Sequence, residues 1–149
     1  MPSWKIEIEK YFSLVLFNYA FFNGDAHLKN FSVLETLSGD YTLSPAYDLV
    51  NTRIQVGDTD FALSRKLFKD DFKSPSWKHN GHAAHPDFVE LGKRIGVQEK
   101  RIALLMEPFM KAHLGATSLV ERSFLDDATK KEYLRHYQAK LNILAGRQF

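Results

Sequence analysis

The hydrophobic pattern of the chain begins with a stretch whose first part carries closely spaced charges and whose second part, Leu14–Phe22, is almost entirely apolar. A helix that is apolar on all sides normally packs inside a larger body. We therefore predict a buried helix over Lys5–Phe22, ended by the helix-breaking pair Asn23-Gly24. The apolar run is far shorter than the roughly 20 residues that a membrane span needs, and no signal peptide is visible.

A small β-hairpin is predicted next. Phe31–Leu34 is rich in strand-forming residues, Leu37–Asp40 has the composition of a turn, and Tyr41–Leu43 provides the returning strand. Pro45 closes this unit. The hairpin brings the chain back towards the point at which it left the first helix.

The rest of the chain is predicted to be loop-rich over Asn51–Pro86 and helical thereafter. Within the loop-rich part, Phe61–Phe68 fits either a short strand or a turn of helix. Four helical segments follow. The first is Pro86–Ile95, and the second is Gln98–Leu114, which is kinked or split at Pro108 and ended by Gly115. A capping box at Ser118 and Glu121 opens a third, short helix, and the last helix runs from Asp126 or Asp127 to about Ala145, with one stripe formed by Tyr133, Leu134, Tyr137, Leu141 and Leu144. The predicted fold is mostly α with one small β-hairpin and a helical C-terminal half.

Composition adds limits to this picture. With 149 residues, of which 44% are hydrophobic, the chain fits a single domain over 1–149 with an ample core. The formal net charge is only +2, so direct nucleic-acid binding is not expected. The absence of cysteine excludes disulfides and thiolate metal sites. It also suits a reducing cytoplasm, which is the expected location, without a membrane.

The segment Asn23–Asn30 concentrates polar side chains between the apolar helix and the hairpin. Such groups persist beside apolar segments only when they have partners. Asp25 and Asn30 have the D-x-x-x-x-N spacing in which, in a protein kinase, the Asp accepts the proton of the substrate hydroxyl and the Asn holds Mg²⁺. Mg²⁺ prefers oxygen ligands and requires a second carboxylate here, which Asp48 can supply just beyond the hairpin.

At this point the chain resembles a known family. Asn23–Ser32 and Leu43–Val50 contain a D-x-H-x-K-N loop followed by a P-x-Y-D motif, and both are similar to the C-terminal region of the HipA-like serine/threonine kinases of bacterial toxin–antitoxin systems. The motif match extends from about Tyr11 to Thr52. The resemblance implies a protein-kinase-like C-lobe and transfer of the ATP γ-phosphate to a protein hydroxyl.

By the same resemblance, Asp25 matches the catalytic base, and Asn30 and Asp48 match the magnesium ligands. The implied cofactors are ATP and Mg²⁺. The implied substrate is a protein, such as an aminoacyl-tRNA synthetase, and the implied partner is a DNA-binding antitoxin. Three further side chains are placed near the nucleotide phosphates, namely His27, Tyr47 and, as a weaker candidate, Lys29.

One departure from the family pattern changes the expected activity. Family members carry an ATP-gripping Gly/Ser-rich loop and a nucleotide-binding lysine on an N-terminal lobe, and no such loop precedes Asp25 here. We therefore expect weak ATP binding and little phosphorylation by these 149 residues without an N-lobe. The chain would be a fragment, a truncated gene product or one subunit of a split kinase.

Several alternatives stay open from the residues. Asp25 and Asn30 could be loop residues that cap local backbone groups, or a folded site no longer in use. His27 could orient the loop rather than take part directly, and Lys29 could be a solvated charge. A non-catalytic interaction subunit is a further candidate. So is a small-molecule phosphotransferase of the aminoglycoside-kinase type, although such enzymes usually place His before the Gly-Asp and Trp after the later Asp.

Three other features have plainer interpretations. His79, His82 and His85 have a spacing that could bind zinc, but solvated loop histidines are favoured because Gly81 and polar neighbours indicate a loop. A basic cluster in the loop-rich region is favoured as a solvated face, since Asp70 and Asp71 offset it. The aromatic residues of the first helix are predicted to be core, and some of them to lie on an exposed apolar surface that permits self-association. The basic cluster consists of Arg65, Lys66, Lys69 and Lys73, and the aromatic set of Phe12, Phe17, Tyr19, Phe21 and Phe22.

Overall fold

The computed structural model describes residues 4–57, 59–62 and 66–147. The described residues are mostly helical with one two-stranded antiparallel sheet, which confirms the predicted balance of elements. None of the helices in this part of the chain has the length and apolar character that a membrane crossing needs. The elements are α1 (Trp4–Ala20), β1 (Val33–Glu35), β2 (Tyr41–Leu43), α2 (Arg53–Val56), α3 (Pro75–Asn80), α4 (His85–Arg94), α5 (Glu99–Met106), α6 (Leu114–Glu121) and α7 (Asp127–Leu144), with 3₁₀ turns at Leu28–Asn30 and Glu107–Phe109.

Helix α1 ends two residues earlier than predicted, in a turn that decides the direction of the following loop. The Phe22 N–H donates to the Tyr19 carbonyl at 3.3 Å, and the Asn23 N–H donates to the Asn18 carbonyl at 2.8 Å. This is the Schellman pattern of a helix C-terminus, in which one residue adopts a left-handed conformation. That residue is Phe22, with φ of 56°. Glycine usually takes this place, because it has no Cβ atom to approach the following carbonyl oxygen. A phenylalanine here therefore carries backbone strain of about 1–2 kcal/mol.

The predicted hairpin forms, with its second strand at Tyr41–Leu43 as expected and its first strand at Val33–Glu35 rather than Phe31–Leu34. Val33 pairs with Leu43 and Glu35 with Tyr41. The sheet is attached to the first helix by a charged side chain, since Glu7 Oε2 accepts a hydrogen bond from the Leu43 N–H at 2.7 Å. The carboxylate thus satisfies an outward-facing backbone donor, which fixes the hairpin against α1.

The helical half agrees with the prediction at Pro108 and differs from it at Gly115. Helix α5 gives way to a 3₁₀ turn at Glu107–Phe109, which confirms the expected split at Pro108. The predicted continuation to Leu114 and the capping box at Ser118 are wrong, because α6 already begins at Leu114 and contains Gly115. The cap is His113, whose Nδ1 accepts a hydrogen bond from the Gly115 N–H at 3.1 Å. A side-chain cap therefore overrides the tendency of glycine to end a helix.

The last helix begins and ends as predicted. Asp126 caps α7, because its Oδ1 accepts hydrogen bonds from the backbone N–H groups of Ala128 and Thr129, each at 3.0 Å. Tyr137, Leu141 and Leu144 are buried on one stripe. They help to close a core that also contains Phe12, Leu16, Tyr19, Ala20, Phe68, Trp77, Ala83, Phe88, Leu91, Val97, Ile102 and Met106.

The segment between the hairpin and α4 is irregular, as predicted, but contains the two short helices α2 and α3. Of the stretch Phe61–Phe68, residues 61, 62 and 66–68 form neither strand nor helix, and residues 63–65 lie outside the described part. The segment is pinned by Asp87, which is fully buried and accepts hydrogen bonds from the Ser74 N–H and Oγ, both at 2.7 Å. Charge-assisted bonds of this kind offset the cost of burying the carboxylate.

Candidate functional site

The segment that follows α1 is tied to the residues after the hairpin by a buried asparagine. The Asn23 side chain is only 5% exposed, and its Nδ2 donates to Asn18 Oδ1 at 3.0 Å and to the Asp48 carbonyl at 2.9 Å. One amide therefore joins the last turn of α1 to the later Asp motif. The two motifs that the sequence placed 25 residues apart are brought together at this point.

Thr52 provides a second tie at the same junction. Its N–H donates to the Phe22 carbonyl at 3.0 Å, and its Oγ1 accepts a hydrogen bond from the Gly24 N–H at 3.0 Å. Both backbone groups belong to the turn that leads out of α1. The segment Asn23–Asn30, which we name the Asp25 loop, is therefore held by backbone and side-chain bonds at its start.

The two predicted metal ligands are in direct contact. Asn30 is 7% exposed, and its Nδ2 donates to Asp48 Oδ2 at 2.8 Å. The same nitrogen lies 3.4 Å from the Asp25 carbonyl. Asp48 has φ of 56°, a left-handed conformation that costs a non-glycine residue free energy and that occurs preferentially at functional sites.

Asp25, the predicted base, lies at the surface of this junction. Its side chain is 53% exposed, and its Oδ1 lies 3.0 Å from Nε2 of His27. A carboxylate so exposed can be reached by a group from another molecule. The His27 ring limits the orientations open to the carboxylate, which agrees with the interpretation of His27 as an orienting residue.

Tyr47 and Lys29 lie at the other end of the Asp25 loop. The Tyr47 hydroxyl donates to the Lys29 carbonyl at 2.7 Å and lies 2.9 Å from Ser32 Oγ. The Lys29 side chain is exposed. The structure thus links the predicted site residues in three pairs: Asp25 with His27, Asn30 with Asp48, and Tyr47 with the backbone of Lys29.

Reasoning from the sequence did not identify the asparagines and the threonine that hold the loop. Asn18 interrupts an otherwise apolar helix, and Asn23 and Thr52 flank the two motifs, so their positions carried the relevant information. A polar residue within an apolar run is retained when it has a buried partner. Applied to Asn18, this rule predicts a buried hydrogen-bond partner, which the structure identifies as Asn23.

A buried ion pair next to the site was also not identified. Lys140 Nζ lies 2.5 Å from Asp60 Oδ1, and the lysine side chain is only 2% exposed. Burial lowers the pKa of Lys140 to about 8, although the Asp60 carboxylate acts in the opposite direction. Burial raises the pKa of Asp60, but hydrogen bonds and charge from His82 and Lys140 outweigh it, and the pKa stays below its ordinary value. The sequence contained one indication of this pair: Lys140 lies beside the apolar stripe of the last helix, where a charged side chain needs a partner.

The three histidines are not gathered on one helical face. His79 lies in α3, His85 begins α4, and His82 Nδ1 lies 2.6 Å from Asp60 Oδ2. Over residues 4–57, 59–62 and 66–147, no group of three or more His, Cys, Asp or Glu side chains is arranged to hold a metal ion. The Asn30–Asp48 pair, which contributes one carboxylate and one amide, is a different kind of candidate.

The basic cluster is in part neutralised. Lys66 Nζ lies 2.5 Å from Asp71 Oδ1, and Lys73 Nζ lies 5.2 Å from the centre of the Trp77 ring. Lys69 is exposed, and Arg65 lies outside the described residues. These contacts agree with a solvated face that is offset by acidic residues.

The aromatic residues of the first helix divide into two groups. Phe12 and Tyr19 are buried in the core, as predicted, whereas Phe17, Phe21 and Phe22 are half-buried. Phe17 and Phe21 line an apolar recess of about 500 Å³ between α1, the 3₁₀ turn after α5, α6 and α7. On its rim, Leu119 is 64% exposed. An exposed apolar surface is therefore present in this region.

Comparison with known protein families gives a match over most of the chain. The model of the HipA-like C-terminal domain matches residues 2–116, which include α1, the Asp25 loop, the hairpin, Asp48 and the helices through α5. No curated protein matches the chain. The family match therefore covers every residue that was proposed for the site, as well as most of the chain.

Proposed function

The chain belongs to the HipA-like C-terminal domain family, and on this premise we propose that it provides the base and the magnesium ligands of a serine/threonine kinase. Its fold would then correspond to a protein-kinase-like C-lobe. The observation that carries the proposal is the contact between Asn30 and Asp48, since two side chains 18 positions apart meet at 2.8 Å beside Asp25. A loop that merely capped its own backbone would not require this long-range pair.

The chemistry of the pair fits Mg²⁺. The ion binds oxygen ligands at about 2.1 Å in octahedral geometry, so neighbouring ligand oxygens lie about 3 Å apart. Asn30 Nδ2 and Asp48 Oδ2 are 2.8 Å apart, and a half-turn of the amide exchanges its nitrogen for its oxygen. Asn30 and Asp48 would therefore hold the ion. Bound there with ATP, it would neutralise charge on the transferred phosphoryl group.

Asp25 would accept the proton of the attacking hydroxyl. Its exposed carboxylate can receive a serine or threonine hydroxyl from a protein substrate, and His27 at 3.0 Å holds the carboxylate in place. Loss of that proton allows the substrate oxygen to bond to the γ-phosphorus while the bond to the ADP oxygen breaks. Tyr47 supports the loop through the Lys29 carbonyl, which keeps Lys29 and His27 near the place proposed for the phosphates.

The proposal assigns only one side of an ATP cleft to these residues. The groups that grip the nucleotide from the other side would come from an N-lobe, either joined to this sequence or carried by a partner subunit. A translation protein as substrate and a DNA-binding antitoxin as partner are part of the same proposal. They rest on family membership rather than on contacts in the structure.

Divalent-ion binding tests the proposal directly. Mn²⁺, a paramagnetic substitute for Mg²⁺, is titrated into the protein mixed with an N-lobe, with and without ATP, and the free ion is followed by electron paramagnetic resonance. We expect Asp48→Ala and Asn30→Ala to weaken ATP-dependent Mn²⁺ binding at least about tenfold, because even the loss of a residue that only supports a ligand typically costs about 10- to 100-fold. Asp40→Ala, at an exposed turn of the hairpin, is the matched control.

Phosphoryl transfer is then measured with an N-lobe supplied in trans and a protein substrate. The Asp25→Asn variant is expected to retain Mn²⁺ binding and to lose phosphorylation. Equal binding by wild type, Asp48→Ala and Asp40→Ala, with the N-lobe present, would contradict the proposed metal site.

A second candidate function, that of an interaction subunit, is favoured by the apolar recess that Phe17 and Phe21 line. An exposed apolar recess commonly marks a site of association. Sedimentation velocity over a range of concentrations tests it. Self-association or binding of an N-lobe that is weakened by Leu119→Lys would support this role, and a monomer unaffected by the substitution would contradict it.

A further inference from the structure

A buried lysine on α7 contacts the residue that leads into the Asp25 loop. Lys140 Nζ lies 4.7 Å from the centre of the Phe22 ring and 3.9 Å from the centre of the Tyr19 ring. A cation over aromatic faces, shielded from water, attracts both rings. The ammonium group therefore holds the last turn of α1 and Phe22, two residues beyond its end.

Asp60 keeps the charge of Lys140 in place. The 2.5 Å contact between the two side chains lies in the interior, and the Asp60 carboxylate is itself held by His82 on its other oxygen. The segment after α2 is thereby connected to α7. None of these three side chains touches Asp25, Asn30 or Asp48 through a hydrogen bond or ion pair among the contacts of the described residues, so the proposed chemistry does not use them.

Phe22 is the strained residue at the entrance to the loop. Its φ of 56° is unfavourable for a phenylalanine, and its carbonyl accepts a hydrogen bond from the Thr52 N–H, which ties the start of the Asp25 loop to the segment after the hairpin. The next residue, Asn23, bonds to the Asp48 carbonyl. A shift of Phe22 towards an unstrained conformation would therefore move the Asn23 and Gly24 amides and, with them, the start of the Asp25 loop.

We propose that the Lys140–Asp60 pair is a positioning element that holds Phe22 in its left-handed conformation and so fixes the Asp25 loop relative to Asp48. The structural part of this inference stands on the contacts alone. Its consequence for phosphoryl transfer rests on the proposed kinase function.

Amide hydrogen exchange followed by NMR tests the structural part without any assay of activity. The reporters are the amides of Asn23 and Gly24, which donate to Asn18 and Thr52, and the reference is the amide of Ile102 in α5. In the double variant Asp60→Asn/Lys140→Met, both charges are removed together, so no unpaired buried charge is left. We expect exchange at the two reporters to accelerate roughly 2- to 30-fold relative to the reference.

A second variant removes the other side of the contact. Phe22→Leu preserves the ion pair but deletes the aromatic face, and we expect the same local acceleration. Lys131→Met, an exposed lysine on the same helix, is the control and should leave the reporters unchanged. Reporter exchange that stays equal to wild type in either test variant, or that rises only in step with Ile102, would overturn the proposal.

The catalytic consequence is read separately. With an N-lobe and protein substrate present, the double variant should lower kcat roughly 2- to 30-fold with little change in the KM for ATP, because the loop is displaced rather than removed. If wild type transfers no phosphate, the proposed function fails while the exchange result still decides the structural role. If wild type is active and the double variant has an unchanged kcat, the positioning role is contradicted.

Discussion

The removal of one buried amide is expected to loosen the junction on which the site depends. Asn23→Ala deletes the donor to Asn18 Oδ1 at 3.0 Å and to the Asp48 carbonyl at 2.9 Å. Asn18 is 6% exposed, so water cannot readily replace the lost partner. Asp48 is exposed, so its carbonyl can recover part of the loss by hydration.

The magnitude follows from these two environments. A buried acceptor left without a partner costs about 1–3 kcal/mol, and an exposed one about 0.5–1 kcal/mol. We therefore expect Asn23→Ala to lower the free energy of unfolding by about 1.5–4 kcal/mol. With a urea m-value of about 2 kcal/mol/M, the unfolding midpoint falls by about 0.75–2 M. Asn80→Ala, at the exposed end of α3, is the matched control and should change stability by less than about 0.5 kcal/mol.

A double-mutant cycle with Asn18→Ala isolates the interaction. Once Asn18 is replaced, Asn23 has lost its buried partner, so the double variant should cost less than the sum of the single variants by about 1 kcal/mol. ATP-dependent Mn²⁺ binding should also weaken in Asn23→Ala, since Asp48 is no longer tied to the loop. Strict additivity in urea, together with unchanged Mn²⁺ binding, would refute this account of the junction.

Two further predictions concern strain and charge. Asp48→Gly should be about 1 kcal/mol more stable than Asp48→Ala in urea unfolding, because glycine tolerates the φ of 56°. Both variants lack the carboxylate, so they differ only in backbone strain, and equal stabilities would contradict strain at this position. Burial lowers the pKa of Lys140 to about 8, so between about pH 8 and 10 the unfolded chain binds a proton that the folded chain has released. The free energy of unfolding of the wild type, compared with that of Lys140→Met, should therefore rise with pH in this window, by at most about 3 kcal/mol. A difference between the two proteins that is flat or falls over this range would contradict the direction of the shift.

The two helix starts in the C-terminal part differ in how well the sequence predicts them. Asp126 was predicted as a cap and is one, because its side chain bonds to backbone groups two and three residues away. The start of α6 was predicted wrongly, because its cap, His113, is not a common capping residue and Gly115 suggested an end. Local interactions are readable from the sequence when the residue types are the usual ones for the motif.

The candidate site shows the same division. The sequence by itself determined the helix–loop–hairpin–Asp order and the apolar stripe of the last helix, because these depend on spacing and residue type within short stretches. Family membership agrees with that order. The assignment of Asp25 as base and of Asn30 and Asp48 as metal ligands remains a prediction.

Only the tertiary structure decided which side chains meet over long separations. The Asn23 contact with Asp48 spans 25 residues, and the Lys140 contact with Asp60 spans 80. No periodicity encodes such pairs, since each depends on how whole elements pack. The left-handed conformation of Phe22 likewise could not be read from its residue type, because strain is accepted only where surrounding contacts outweigh it.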